Sequence, residues 1–167
     1  YWSLTGNYGT IPGVSFIGTT DETPLEFRVN NQTAMRLYPN QFGPSLVVGG
    51  TNNEVVSGRS GAVIGGGSMN RVEANIGTVS GGELNVAGDV GASVGGGLGN
   101  RAEGRFGSVG GGRSNSSSGT TATVGGGANN EASGLSSAVV GGAGNTAAGG
   151  FSFVGGGEDN VAEETFS

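Results

Sequence analysis

The chain contains no cysteine and no histidine. Without cysteine there is no disulfide framework, no thiolate metal site and no sulfur nucleophile. Without histidine the commonest general base and metal ligand is missing. Proline is scarce at 4 residues while glycine reaches 39, a balance that excludes a collagen repeat. Charged residues make up only 12% of the chain, unlike the charge-rich composition of a disordered segment. Seven basic and thirteen acidic side chains leave a net charge of −6. Nucleic acid and anionic membrane surfaces are therefore not expected partners. No run of 18 apolar residues occurs, so direct insertion of this segment into a membrane is not expected. The sequence opens at Tyr1 without a visible signal peptide and stops within a repeat, which reads as a piece of a longer protein.

What is present is a repeat of 15 residues. Asn70, Asn85, Asn100, Asn115, Asn130, Asn145 and Asn160 follow one another at that interval without a slip. Six residues before them stand Ile64, Val79, Val94, Val109, Val124, Val139 and Val154, all β-branched. A glycine pair lies between, as in Gly111-Gly112, and a small or β-branched residue follows two positions after each Asn, from Val72 to Ala162. An earlier coil runs from Val47 through Gly49-Gly50 to Asn53, and its 17-residue gap to Asn70 gives one turn two extra residues.

Interior glycines at this density exclude a helix, because each costs about 1 kcal/mol relative to Ala. Alternation fits instead. Ala92 and Val94 share one face with Ser93 opposite; Asn100, Ala102 and Gly104 share another, with Arg101 and Glu103 opposite. Each coil therefore reads as two short half-buried strands joined by turns. One turn is the glycine pair, and the other is often marked by a single glycine such as Gly104, Gly119, Gly134 or Gly149. The fixed Asn has two structural readings: an amide ladder between coils about 4.8 Å apart, or local support of a turn. So little apolar area per coil, with no cysteine, points to association, and the flat columns of Val, Ala, Ser and Gly suit packing of identical chains.

The reading is an all-β protein: a parallel β-roll or β-solenoid of about eight 15-residue coils over residues 46–167. Residues 1–45 differ from it. Leu25, Phe27 and Val29 alternate with Glu26 and Arg28, Asn30-Asn31 signals a turn, and Ala34 to Tyr38 reads as a second strand. Most large side chains, including Trp2, Phe16, Phe27, Tyr38 and Phe42, fall here. This part is expected to be an N-terminal β cap sealing the first coil.

Sites of chemistry are not evident. The glycine runs lack the Gly-Lys-Ser/Thr ending of a phosphate loop. The period is not the nine of calcium-binding repeats, and acidic residues are irregular. Asp21-Glu22 and Glu163-Glu164 are adjacent and point to opposite faces of extended chain, unlike a glycosidase pair. A column of Thr78, Ser93, Ser108 and Thr123 could suit an ice surface, but it breaks at Ala138 and Phe153. Neither enzymatic activity nor a cofactor or metal is expected.

The repeat Ser108-Val109-Gly110-Gly111-Gly112, then Asn115 and Gly119, resembles the head region of trimeric autotransporter adhesins, over residues 46–167. It departs from their commonest pattern in having three glycines where Ile-Gly and polar residues are usual. The resemblance implies a left-handed parallel β-roll, a homotrimer, an extracellular place on a bacterial surface, and attachment to a host-cell or matrix ligand. The stretch Phe16-Ile17-Gly18-Thr19-Thr20-Asp21 with Pro24 to Asn30 and Ala34 to Leu37 resembles a module of large bacterial surface proteins and phage tail-fibre-like proteins. That implies the alternative, a shaft or spacer of a cell-surface or virion tail fibre.

Overall fold

A computed structural model describes residues 8–11, 14–50 and 52–167; Trp2 lies outside the described residues. The described chain is all-β. Strand β1 (Leu25–Val29) and strand β2 (Gln32–Tyr38) form an antiparallel hairpin. Its two turn residues, Asn30 and Asn31, take φ of 48° and 58°, which asparagine tolerates better than most side chains. Strand β3 (Ser45–Val48) pairs antiparallel with β2 on one side and parallel with Val63–Ile64 on the other. From there the chain winds as a parallel β-solenoid.

Each full coil supplies two two-residue strands. One set, Val63–Ile64, Thr78–Val79 and onward to Phe153–Val154, continues the sheet begun by the hairpin into ten strands. The other, Glu54–Val55, Arg71–Val72 and onward to Val161–Ala162, forms an eight-stranded sheet. The register is uniform: Ser108 pairs with Ser93 and Thr123, and Arg101 pairs with Val86 and Ser116. Every pairing therefore joins equivalent positions one repeat apart, which is why the sequence period and the structural period coincide.

The coil has more than the two expected ladders. Ser68, Glu83, Leu98, Arg113, Ala128, Ala143 and Glu158 form a third parallel row of single bridges. On this row the Leu98 N–H donates to Gly112 O at 2.9 Å, and the Gly99 N–H reaches back to Glu83 O at 2.9 Å. Position by position, these bonds use up the backbone donors that a coil with few side-chain contacts would otherwise leave unmet.

The interior is narrow. Ile64, Val72, Val79, Val94, Val124 and Val139 are fully buried, as are Ala87, Ala92, Ala102, Ala132 and Ala147. These columns are covered within one chain, so they are not the surface on which identical chains could pack. The association expected from the sequence has to use other faces.

The two turns differ from expectation in their reasons for glycine. Gly112 has φ of 89°, and an added Cβ would also meet the backbone of Gly127 in the next coil and the Asn115 amide at 2.7 Å. Gly104 begins its turn, with Gly107 N–H donating to Gly104 O at 2.8 Å, but its φ is not in the left-handed region. It is glycine because a Cβ would collide with the carbonyl of Gly119. The left-handed residue of that turn is two positions on: Phe106, Thr121, Ser136 and Phe151, at φ of 53° to 59°. Such values are costly for bulky side chains. Coil-to-coil bonds such as Phe106 N–H to Val90 O at 2.9 Å hold them there.

The two extra residues between Asn53 and Asn70 sit at one corner, around Ser57 to Ser60. This corner meets the segment that leads into the first coil. Asn40 Nδ2 donates to Gly58 O at 3.2 Å and Ser45 Oγ donates to Arg59 O at 3.0 Å. The N-terminal hairpin is less covered than the alternation of β1 suggested. Phe27 and Val29 are 43% and 69% exposed among the described residues, and Phe16, Ile17 and Phe42 are exposed as well.

Candidate functional site

The most distinctive constellation is the asparagine column. Asn70, Asn85, Asn100, Asn115, Asn130 and Asn145 are buried to 1% exposure or less, and Asn160 closes the column in the last coil with its side chain exposed. Each coil brings its Asn to the start of a strand, just after a left-handed residue such as Ser114 or Asn129. That kink turns the side chain inward, beneath the glycine pair.

Asn100 shows the pattern. Its Nδ2 donates to Gly96 O at 2.8 Å within its own coil and to Gly112 O at 2.9 Å in the next. Its Oδ1 accepts the backbone N–H of Asn115 at 3.0 Å, while its own N–H donates to Asn85 Oδ1 at 2.9 Å. The relay thus runs from side chain to backbone, one coil after another. The turn-support reading is met by the bond to Gly96 O, and the coils are joined through backbone groups in place of the expected amide-to-amide ladder; all three polar hydrogen-bonding roles of the side chain are filled. Among the described residues, amides also contact directly toward the far end, Asn145 Nδ2 donating to Asn130 Oδ1 at 3.2 Å and Asn160 Nδ2 to Asn145 Oδ1 at 3.0 Å. This column is a structural device: its carboxamides do not titrate near neutral pH and are engaged in hydrogen bonds.

The valine column, from Val79 through Val94, Val109, Val124 and Val139 to Val154, is buried in the interior. Among the described residues, no group of three or more His, Cys, Asp or Glu side chains could hold a metal ion. No helix of the described chain is long and apolar enough to cross a membrane.

The outer faces differ in chemistry. The eight-stranded sheet carries charge in short pairs: Arg71 bridges Glu54 and Glu73 at 2.9 and 2.8 Å, and Arg101 meets Glu103. These are exposed and contribute little. The coil strands of the ten-stranded sheet, from Val63–Ile64 to Phe153–Val154, carry no charged side chain. Along them runs a shallow groove lined by Thr78, Ser93, Ser108 and Thr123 with Ser80, Gly95, Gly110 and Gly125. Ser108 Oγ donates to Thr123 Oγ1 at 3.2 Å. Toward the last coils the surface becomes aromatic: Phe151 and Phe166 stack at 5.2 Å and 6°, and Phe153 is 60% exposed.

In the hairpin region the charges are tighter. Glu26 contacts Arg28 at 2.6 Å and Arg36 at 2.5 Å. The hydrogen bond from Arg28, helped by Arg36, holds the Glu26 carboxyl below its usual range. Asp21 is lowered likewise by the Thr23 hydroxyl and N–H. Glu22 lines a shallow hollow with Pro39, Asn40 and Gln41. Glu163 and Glu164 are exposed in the last coil.

The fold therefore defines the chain as a parallel β-solenoid repeat protein. The chain matches no protein-family profile, and no curated protein is significantly similar to it in sequence.

Proposed function

We propose that this chain is a non-enzymatic segment of an extracellular fibre, the head of a homotrimeric surface adhesin, presenting repeated surface for attachment to cells or matrix. The observation that carries this reading is a column of glycines that the backbone of a single chain explains at only two of its seven positions. Gly66, Gly81, Gly96, Gly111, Gly126, Gly141 and Gly156 stand at one position of seven coils; Gly96 and Gly156 take φ of 148° and 146°, which favours glycine, and the other five lie outside the left-handed region. A Cβ on Gly66, Gly81 or Gly141 would meet nothing within 4 Å, and on Gly111 or Gly126 only a carbonyl at 3.9 or 4.0 Å. Glycine kept where the chain itself leaves room points to close approach by something outside the chain. The column adjoins the uncharged groove of the ten-stranded sheet, which supplies a flat strip of hydroxyls and glycines for a second copy. Weak contacts of such a rod to a ligand add through avidity when three copies act together. Its resemblance to trimeric autotransporter adhesin heads points the same way.

A second reading, a shaft or spacer on a cell or a phage tail, is favoured by the bridge row. Ser68, Glu83, Leu98, Arg113, Ala128, Ala143 and Glu158 vary without gathering into a site. In both readings the segment turns over no substrate, because catalysis wants convergent titratable groups in a concave, partly dry place. The experiment is to immobilise the purified protein and measure binding to matrix proteins, glycans and whole cells. Binding lost on removing coils supports the adhesin. No binding above background, with shortened fibres after coil deletion from the parent protein, leaves the spacer.

A further inference from the structure

Two Asn-x-Ser/Thr triplets occur in the chain, Asn31-Gln32-Thr33 and Asn115-Ser116-Ser117. This tripeptide is the acceptor signal for attaching sugar to an asparagine amide nitrogen. The fold puts the two in opposite situations. Asn31 is the second turn residue of the β1–β2 hairpin, at φ of 58°, with Val29 and Gln32 paired across the turn. Asn31 and Gln32 are exposed and Thr33 is half-buried. The one hydrogen bond at the Asn31 side chain among the described residues is long, from Arg28 Nη1 to Oδ1 at 3.4 Å, and it leaves Nδ2 unengaged. Asn115 is 1% exposed. Its Nδ2 donates to Gly111 O and Gly127 O at 2.8 and 2.9 Å, and its Oδ1 accepts the Asn130 N–H at 2.9 Å. Ser117, whose hydroxyl completes that triplet, is buried and donates to Ala122 O at 2.8 Å.

We propose that Asn31 is an N-glycan acceptor site in the folded protein and that the asparagine column withholds Asn115. In the transfer, the Asn31 amide nitrogen bonds to the anomeric carbon of a sugar diphosphate donor. The bond from that carbon to the diphosphate oxygen breaks, and one amide proton leaves as the diphosphate departs. A separate N-glycosyltransferase supplies the donor site. No change of oxidation state is involved. A sugar at Asn31 would sit on the exposed tip of the hairpin, beside the hollow that Asn30 and Gln32 line with Gly49 and Gly50, and not between two stacked coils. A sugar at Asn115 would have to displace the bonds to Gly111 and Gly127 and open the stack between two coils.

The test incubates the folded chain with a soluble sequon-specific N-glycosyltransferase and a nucleoside-diphosphate hexose, followed by intact-mass and peptide-mapping mass spectrometry. The expected product carries one hexose, on Asn31. Asn31→Gln and Thr33→Ala should both accept none; the second keeps the turn asparagine, so loss there reports the acceptor signal and not the hairpin. A synthetic peptide spanning residues 110–120 should accept hexose at Asn115, showing that the fold withholds it. Absence of hexose on Asn31 in the folded chain, transfer to folded Asn115, or a peptide that also rejects hexose would each overturn the proposal.

Discussion

Replacing Asn100 perturbs the device on which the stack depends. Asn100→Ala removes both Nδ2 bonds, to Gly96 O and Gly112 O. It also strips the buried N–H of Asn115 of its acceptor. Gly112 O keeps the Leu98 N–H at 2.9 Å, so that carbonyl is not orphaned. An unmet buried donor costs about 1–3 kcal/mol and each lost bond about 0.5–1.5 kcal/mol, so the change should cost roughly 2–6 kcal/mol. Asn100→Asp keeps the size but points a carboxylate at two carbonyl oxygens, and at neutral pH it should be worse than alanine. Burial among carbonyls raises the folded-state pKa of the new carboxyl above its unfolded value. Stability of this variant is then highest below the unfolded pKa and falls as pH rises through the folded one. The assay is the thermal and urea midpoint of each variant between pH 3 and pH 7. Alanine and aspartate variants within about 0.5 kcal/mol of the parent would refute the relay, as would an aspartate variant more stable than alanine at pH 7.

The glycine triplet gives a second contrast. Gly112→Ala and Gly110→Ala should both lower the melting temperature, because each Cβ meets the backbone of the next coil. Gly111→Ala should leave the circular dichroism of the coils intact and weaken self-association, read by light scattering. Val109→Asp buries an unpaired charge in the interior and should unfold the array at a cost of several kcal/mol, whereas Arg113→Ala, on an exposed row, should shift the midpoint hardly at all. In the hairpin, Glu26 has a folded-state pKa below its ordinary 4.5, so its ion pairs contribute above that value and are lost as pH falls through the lower one. Hydrogen exchange of β1 and β2 amides, corrected for intrinsic rate, should therefore quicken at acid pH while the coils stay protected.

Much of this architecture was legible because the period is local. Any 15-residue window from Ile64 onward carries the same Val, Gly-Gly and Asn marks, and stacking in register follows from them. The alternation of Asn100, Ala102 and Gly104 against Arg101 and Glu103 likewise predicts which side is inside. What stayed hidden depends on the neighbouring coil and not on the residue itself. The Asn100 Oδ1 partner is a backbone N–H, which no side-chain pattern advertises. Gly104 looks like a turn glycine, yet it is there for clearance, and the left-handed strain falls on Phe106, a residue type that sequence rules assign elsewhere. The third ladder rests on single bridges at positions of mixed chemistry, Glu83 through Glu158, so periodic hydropathy could not show it. The exposure of Phe27 and Val29 was invisible for the opposite reason, since alternation says which side chains share a face and nothing of what covers it.

The fibre reading stands most directly on the mass of the folded particle. One chain has a mass of 16.2 kDa, and the eight coils at about 4.8 Å each give an array of roughly 40 Å. Sedimentation velocity on the purified chain yields mass and frictional ratio together. The account predicts three times the chain mass and an elongated particle. A monomer of 16.2 kDa that is folded and melts cooperatively would contradict it.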